Sequence, residues 1–109
     1  MKRVLLDENT DQALKPLFNS DFEIVTMSEQ SWQGKQNGEL LRLAEKEFDV
    51  FVTMDKNLEH QQNLGNLDLA VVVIRAYSNA FVVVRELMPA VNEAVRRAVP
   101  GVSVHVRNN

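Results

Sequence analysis

Three stretches of this sequence, Val4-Leu5-Leu6, Val50-Phe51-Val52 and residues 69–74 (LAVVVI), run apolar without a polar break. A strand with one wetted face alternates apolar and polar residues, whereas a strand covered on both faces has no reason to. Longer segments of helical period separate these runs, which is the pattern of βα units laid on a largely parallel sheet. The strands expected are residues 3–6, 22–26, 50–53, 69–74 and 102–106. With helices on both faces they make an α/β fold of about five mostly parallel strands in a three-layer, Rossmann-like arrangement.

The intervening segments predict three helices. Residues 10–18 read as a first helix with Ala13, Leu14, Leu17 and Phe18 inward, capped by Asn9 or Thr10 and shortened or bent by Pro16. Asn37 and Gly38 open a second, in which Leu40, Leu41, Leu43, Ala44 and Phe48 recur at helical spacing. Ser78 or Asn79 caps the longest, with Phe81, Val84, Leu87, Met88, Val91, Val95 and Ala98 inward, Arg85, Glu86, Glu93, Arg96 and Arg97 outward, and a kink at Pro89. Pro100-Gly101 ends it before the last strand.

A chain of 109 residues has the size of one domain with one core, so residues 1–109 are expected to fold as a unit. The composition is that of an ordinary globular protein, 45% hydrophobic and 25% charged, and the absence of Cys removes any need for an oxidising compartment. The apolar runs are far below the roughly 20 residues that span a bilayer, and the N-terminus lacks the apolar stretch of a signal peptide. The expectation is a soluble cytoplasmic protein without membrane partners. A net charge of −3 argues against a general nucleic-acid coat, which depends on clustered Lys and Arg. It does not exclude a nucleic-acid enzyme, since acids can meet phosphate through a bridging divalent cation.

The first strand runs into Asp7-Glu8-Asn9 and the third into Thr53-Met54-Asp55-Lys56-Asn57. Ligands of open parallel sheets bind outside the carboxyl ends of the strands, at the point where connections diverge to either side. If the first and third strands are neighbours, about 5 Å apart, Asp7 and Asp55 can share one cation. Hard oxygen ligands without Cys and with little His suit Mg²⁺ or Mn²⁺ rather than Zn²⁺. The plainer reading makes both acids helix caps or turn formers.

The segments Leu5-Leu6-Asp7-Glu8-Asn9, Trp32-Gln33-Gly34 leading into Asn37-Gly38-Glu39-Leu40-Leu41, and Thr53-Met54-Asp55-Lys56-Asn57 follow one another in an order that resembles a known family. It is the short PIN-like branch of metal-dependent ribonucleases, found among toxins of bacterial toxin–antitoxin pairs. The resemblance covers roughly residues 1–75. It implies a PIN-like domain that hydrolyses RNA, with Asp7 and Asp55 as metal-binding acids, Asn9 and Lys56 lining the site, and an antitoxin as protein partner. Asn37 stands where the family pattern has an acid, with Glu39 two residues on, and Asn57 stands where it repeats the acid after Lys; an Asn offers a carbonyl oxygen but no charge. In this reading Glu39 completes the metal shell or orients water, Lys56 neutralises developing phosphate charge, and Asn9, Asn37, Asn57 and His60 contact substrate. Glu39 near a helix N-terminus is also simply stabilised by the helix dipole.

Weaker candidates each have a structural alternative. His60 is a proton donor or an exposed loop residue; His105, alternating with Val104 and Val106, reads as solvent-facing or as an edge residue. Gln61, Gln62 and Asn63 fit turn chemistry as well as base contacts. Trp32 either stacks a base or packs over the sheet edge, and packing is the expectation. Arg75, Arg96, Arg97 and Arg107 are interrupted by acids and look like ordinary surface. Two other function classes stay open. One is a catalytically weak or inactive PIN-like binding module, acting through a protein partner or a second copy of itself by an apolar face such as Phe81, Val82 and Val84. The other is a phosphoacceptor receiver domain, which Tyr77-Ser78 suits and the lack of a Lys at the end of the fifth strand opposes.

Overall fold

The computed structural model describes residues 1–108, and their strands form one all-parallel sheet. The strands are β1 (Lys2–Leu6), β2 (Phe22–Thr26), β3 (Val50–Thr53), β4 (Ala70–Arg75) and β5 (Ser103–Arg107), in the order β2-β1-β3-β4-β5. Four helices accompany them: α1 (Asn37–Glu47), α2 (Leu58–Gln61), α3 (Phe81–Val84) and α4 (Met88–Arg96), with 3-10 turns at Gln12–Leu17, Leu64–Asn66 and Arg85–Leu87.

The unbroken apolar runs have the cause the sequence suggests, because alternate residues of each central strand serve two different cores. Val4, Leu6, Val50, Val52, Val72 and Ile74 pack under α3 and α4 together with Leu14 and Phe18. Leu5, Phe51, Val71 and Val73 pack under α1 and α2 with Leu40, Leu41, Ala44 and Leu58. At about 1.5–3 kcal/mol for each large apolar side chain removed from water, these two layers dominate the stability of a three-layer α/β domain.

The connections are not all of one hand. From β1 to β2 the chain steps one way across the α4 face; from β2 to β3 and from β3 to β4 it steps the other way across the α1 face, which is the same hand. From β4 to β5 it keeps that direction but crosses the α4 face, so this last connection is of opposite hand to the other three. Crossovers between parallel strands are right-handed in about 98% of cases, and the β4–β5 connection is the departure.

Strand expectations agree with the structure to within a residue, with β5 spanning Ser103–Arg107 rather than 102–106. Two helices differ. The expected helix at 10–18 is a 3-10 segment, Gln12–Leu17, capped by the Asp11 side chain on the Ala13 N–H, with Ala13 and Leu17 exposed and only Leu14 and Phe18 inward. Pro16 lacks the N–H that an α-helix would direct to Gln12, and Thr10 is used elsewhere, its hydroxyl donating to the Asp7 carbonyl. The long helix from Ser78 or Asn79 is two helices joined by Arg85–Leu87, with Ala80 at the N-cap. Pro89 cannot donate to the Arg85 carbonyl, which accepts the Met88 N–H in a tighter turn instead. Phe81 and Val84 pack into the core, leaving Val82 as the exposed member of the face proposed for a partner.

Candidate functional site

The strand order reverses between β1 and β3: the chain moves to β2 on one side, returns across β1, and then proceeds outward from β3. A parallel sheet opens a crevice at the carboxyl end of such a switch point. The register pairs Leu6 with Val52, and the Asp7 N–H donates to the Val52 carbonyl at 2.9 Å. Asp7 therefore continues β1 and lies beside Thr53, with its side chain on the same face.

Thr53 is the organising residue of this corner. It is the one polar residue of β3 and is fully buried. Its hydroxyl donates to Asp7 Oδ2 at 2.7 Å and accepts the Asp55 N–H at 3.0 Å. The remaining oxygens are met by neutral donors: Asp7 Oδ1 accepts the Glu8 N–H at 2.8 Å, Asp55 Oδ1 accepts the Asn57 N–H at 3.0 Å, and Asp55 Oδ2 faces Asn37 Nδ2 at 3.4 Å. Asn9 spans the gap, its Oδ1 accepting the Met54 N–H at 3.3 Å and its Nδ2 lying 3.5 Å from Thr53 Oγ1. Neither Asp7 nor Asp55 forms an ion pair with Lys, Arg or His among the described residues.

That arrangement has an electrostatic cost at Asp7. Burial pushes its carboxyl above the ordinary carboxylate range; the Thr53 and Glu8 hydrogen bonds offset part of this, and the charges of Glu8 and Asp55 add to it. A small hollow of about 210 Å³ adjoins Asp7, lined by Glu8, Gln12, Ser28 and Gln33 among others. Its wall is shaped by the loop after β2, where Gly34, at φ +79°, donates its N–H to Glu8 Oε1 at 3.1 Å. The larger cavity of about 600 Å³ lies at the opposite, amino end of the sheet, away from the acids.

The structure thus brings Asp7, Asp55, Asn9 and Asn37 together. It places Glu39 elsewhere: its carboxylate is exposed and paired with Lys35 Nζ at 2.9 Å, which holds it below the usual range. Lys56 is exposed at the rim, Asn57 is the N-cap residue of α2 and His60 is exposed on that helix. Among the described residues no group of three or more His, Asp or Glu side chains is placed to hold a metal ion; the corner supplies a pair of carboxylates with amide and hydroxyl neighbours. Trp32 packs edge-on against Phe48, with ring centres 6.0 Å apart. Of the two readings of His105 the structure shows the edge residue: it lies on β5, the last strand of the sheet, and its side chain is turned against Glu59 with 16% of it exposed. Thr53 is the residue that sequence reasoning passed over, although a lone polar residue closing an all-apolar strand was its signal.

No family model, no curated protein and no solved structure matches this chain. Its function is therefore argued from the corner itself.

Proposed function

We propose that this chain is a metal-dependent ribonuclease, hydrolysing phosphodiester bonds at the carboxyl end of β1 and β3. One observation carries the reading: the Asp7 carboxylate and the Asp55 main-chain N–H meet on one buried hydroxyl at the switch point, which sets the two acidic residues at one corner, and no cationic side chain among the described residues is paired with either carboxylate. A fold that needed these acids only as turn formers would not have to raise the pKa of one of them by burial. The donor set, hard oxygens without sulfur, fits Mg²⁺ or Mn²⁺, and Asp7 and Asp55 are the residues that would hold it. Such an ion supplies polarisation of a phosphoryl oxygen and an acidified water.

The chain's own residues do the rest. Thr53 locks the Asp7 carboxylate in one rotamer. Asn9 and Asn37 present amides at the mouth of the corner, where they can donate to non-bridging phosphate oxygens. Lys56, free at the rim, places a mobile positive charge where phosphate charge develops. Glu39 contributes only by leaving Lys35. RNA is the substrate class, and the resemblance of residues 1–75 to the PIN-like toxins brings with it an antitoxin partner and a cytoplasmic setting. Among the described residues no helix is long and apolar enough to cross a membrane.

The alternative is a binding module that keeps the fold without catalysis. It is favoured by the Asn37 amide, which meets Asp55 where the family pattern has an acid. Manganese titration separates the two. The nuclease reading expects RNA cleavage that requires Mn²⁺, stops in chelator, and falls at least about 100-fold, roughly 3 kcal/mol of transition-state stabilisation, in Asp7→Asn and Asp55→Asn that still fold. Cleavage that survives both substitutions, or Mn²⁺ that changes neither activity nor melting temperature, refutes it.

A further inference from the structure

β5 lies at the edge of the sheet, hydrogen-bonded only to β4. The Val71 N–H donates to the Val102 carbonyl, which fixes the alternation along the strand. The main-chain groups of Val104 and Val106 face β4, and those of Ser103, His105 and Arg107 face outward. None of these three outward N–H groups has a partner among the described residues. The opposite edge, β2, is protected. Met27 donates to Leu6, so Phe22, Ile24 and Thr26 face outward there; the Phe22 N–H is taken by the Asn19 carbonyl and the Thr26 N–H by the Glu29 carboxylate. β5 has no proline, no bulge and no capping side chain, the devices that normally blunt a free edge.

We infer that β5 pairs antiparallel with β5 of a second copy of this chain, about a two-fold axis at His105. Only this register sets every outward residue against an outward residue: Ser103 against the partner's Arg107, His105 against the partner's His105, each pair exchanging both of its main-chain hydrogen bonds. The occupant is chosen by charge. Ser103, His105 and Arg107 share the face of the sheet that carries α2, and there Glu59 holds Ser103 Oγ on Oε2 at 2.7 Å and His105 Nε2 on Oε1 at 2.5 Å. Directly opposed residues stand about 5 Å apart at Cβ, so the partner's Arg107 arrives beside Glu59. Arg107 has no ion pair of its own among the described residues. Symmetry makes this Arg–Glu contact twice. On the other face Val104, 39% exposed, meets the partner's Val106. One short strand per copy buries little area, so the dimer is weak.

Sedimentation velocity from micromolar to near-millimolar concentration tests this. The expected result is a concentration-dependent rise from the 12.4 kDa monomer to twice that mass. Ser103→Pro removes an outward N–H and none that β4 uses, and it should leave a folded monomer by circular dichroism. Arg107→Glu, an exposed change that puts like charges together, should weaken the dimer about tenfold, as the loss of two exposed pairs predicts. It decides the matter alone if the proline variant fails to fold. A monomer at every concentration, or a dimer that either folded variant leaves unchanged, overturns the proposal.

Discussion

At the amino end of the sheet Lys2 places its ammonium on the carbonyls of Val95 at 2.9 Å, Arg96 at 2.9 Å and Ala98 at 3.3 Å, closing the C-terminus of α4. Beside it Arg3 pairs with Glu23, donates to the Glu47 carbonyl and lies over the Phe48 ring, while its N–H binds Asp49. At the carboxyl end Asp7 and Asp55 receive only a hydroxyl, main-chain N–H groups and an Asn amide. Both ends place charge against the same sheet, and only one of them neutralises it. Charges at the amino end hold strands to helices; those at the carboxyl end leave negative potential that the fold does not use, which is the condition under which a cation or a phosphate-bound cation has something to gain.

Thr53→Val should break the comparison most severely. The substitution keeps the shape of a residue in the middle of the sheet but removes the one hydroxyl that serves both acids, leaving Asp7 Oδ2 and the Asp55 N–H without their partner. A buried polar group stripped of its hydrogen bond costs about 1–3 kcal/mol, to be read as a lower urea midpoint with an unchanged slope. If valine is neutral, Thr53 does not organise the corner.

Lys2→Met probes the opposite end with a side chain of similar length and no charge. Three carbonyls lose their donor and the helix loses a cation at its negative terminus, together about 1–2 kcal/mol. That stabilisation is electrostatic in part, so the difference between Lys2→Met and the native chain should narrow in high salt. A difference that salt leaves untouched would mean that Lys2 acts by packing its stem alone.

Asp7→Asn should move stability the other way. Because burial holds the Asp7 carboxyl above its usual range, the folded chain binds that proton more tightly than the unfolded chain does. Ionised Asp7 thus opposes folding above the folded-state pKa, and the penalty is relieved as pH falls through that value toward the ordinary carboxylate range. In chelator at neutral pH the Asn variant should melt a few degrees above the native chain, and the gap should close on acidification. With Mn²⁺ the native chain should gain and the variant should not. A variant less stable than the native chain at neutral pH would show Asp7 to be a structural acid.

How far these features could be read without coordinates depends on what kind of information each needs. β1, β3 and β4 announce themselves because burial on both faces removes every polar residue from their interiors, and Asp7 and Asp55 are conspicuous as the acids that follow such runs. At 12–17 and 81–96 the two prolines mark where the helical period breaks, as Pro16 and Pro89 do in the structure, but the period itself does not say that the first segment becomes a 3-10 turn or that the second divides into two helices. The hand of the β4–β5 connection was out of reach: a pattern of apolar residues says that α4 is covered, not which face of the sheet covers it. Thr53 is visible as the lone polar residue that closes β3, but its role follows from its lying beside Asp7, a register fact. Glu39 differs in kind, because its partner Lys35 is only four residues away in the chain, just before α1, so the pair is local in sequence.

Glu39→Gln is therefore the smallest and the most discriminating of the substitutions. The carboxylate is exposed and its partner sits on the same short stretch of chain, so an ion pair of this sort adds little to stability, and the urea midpoint should not move measurably. Activity carries the information. If Asp7 and Asp55 alone hold the cation, Glu39→Gln should change the metal concentration needed for half-maximal cleavage by less than about twofold, a fraction of a kcal/mol. A tenfold or larger increase would mean that Glu39 leaves Lys35 and joins the acids when metal arrives, and in that case Lys35→Ala, by freeing the carboxylate, should lower the metal requirement.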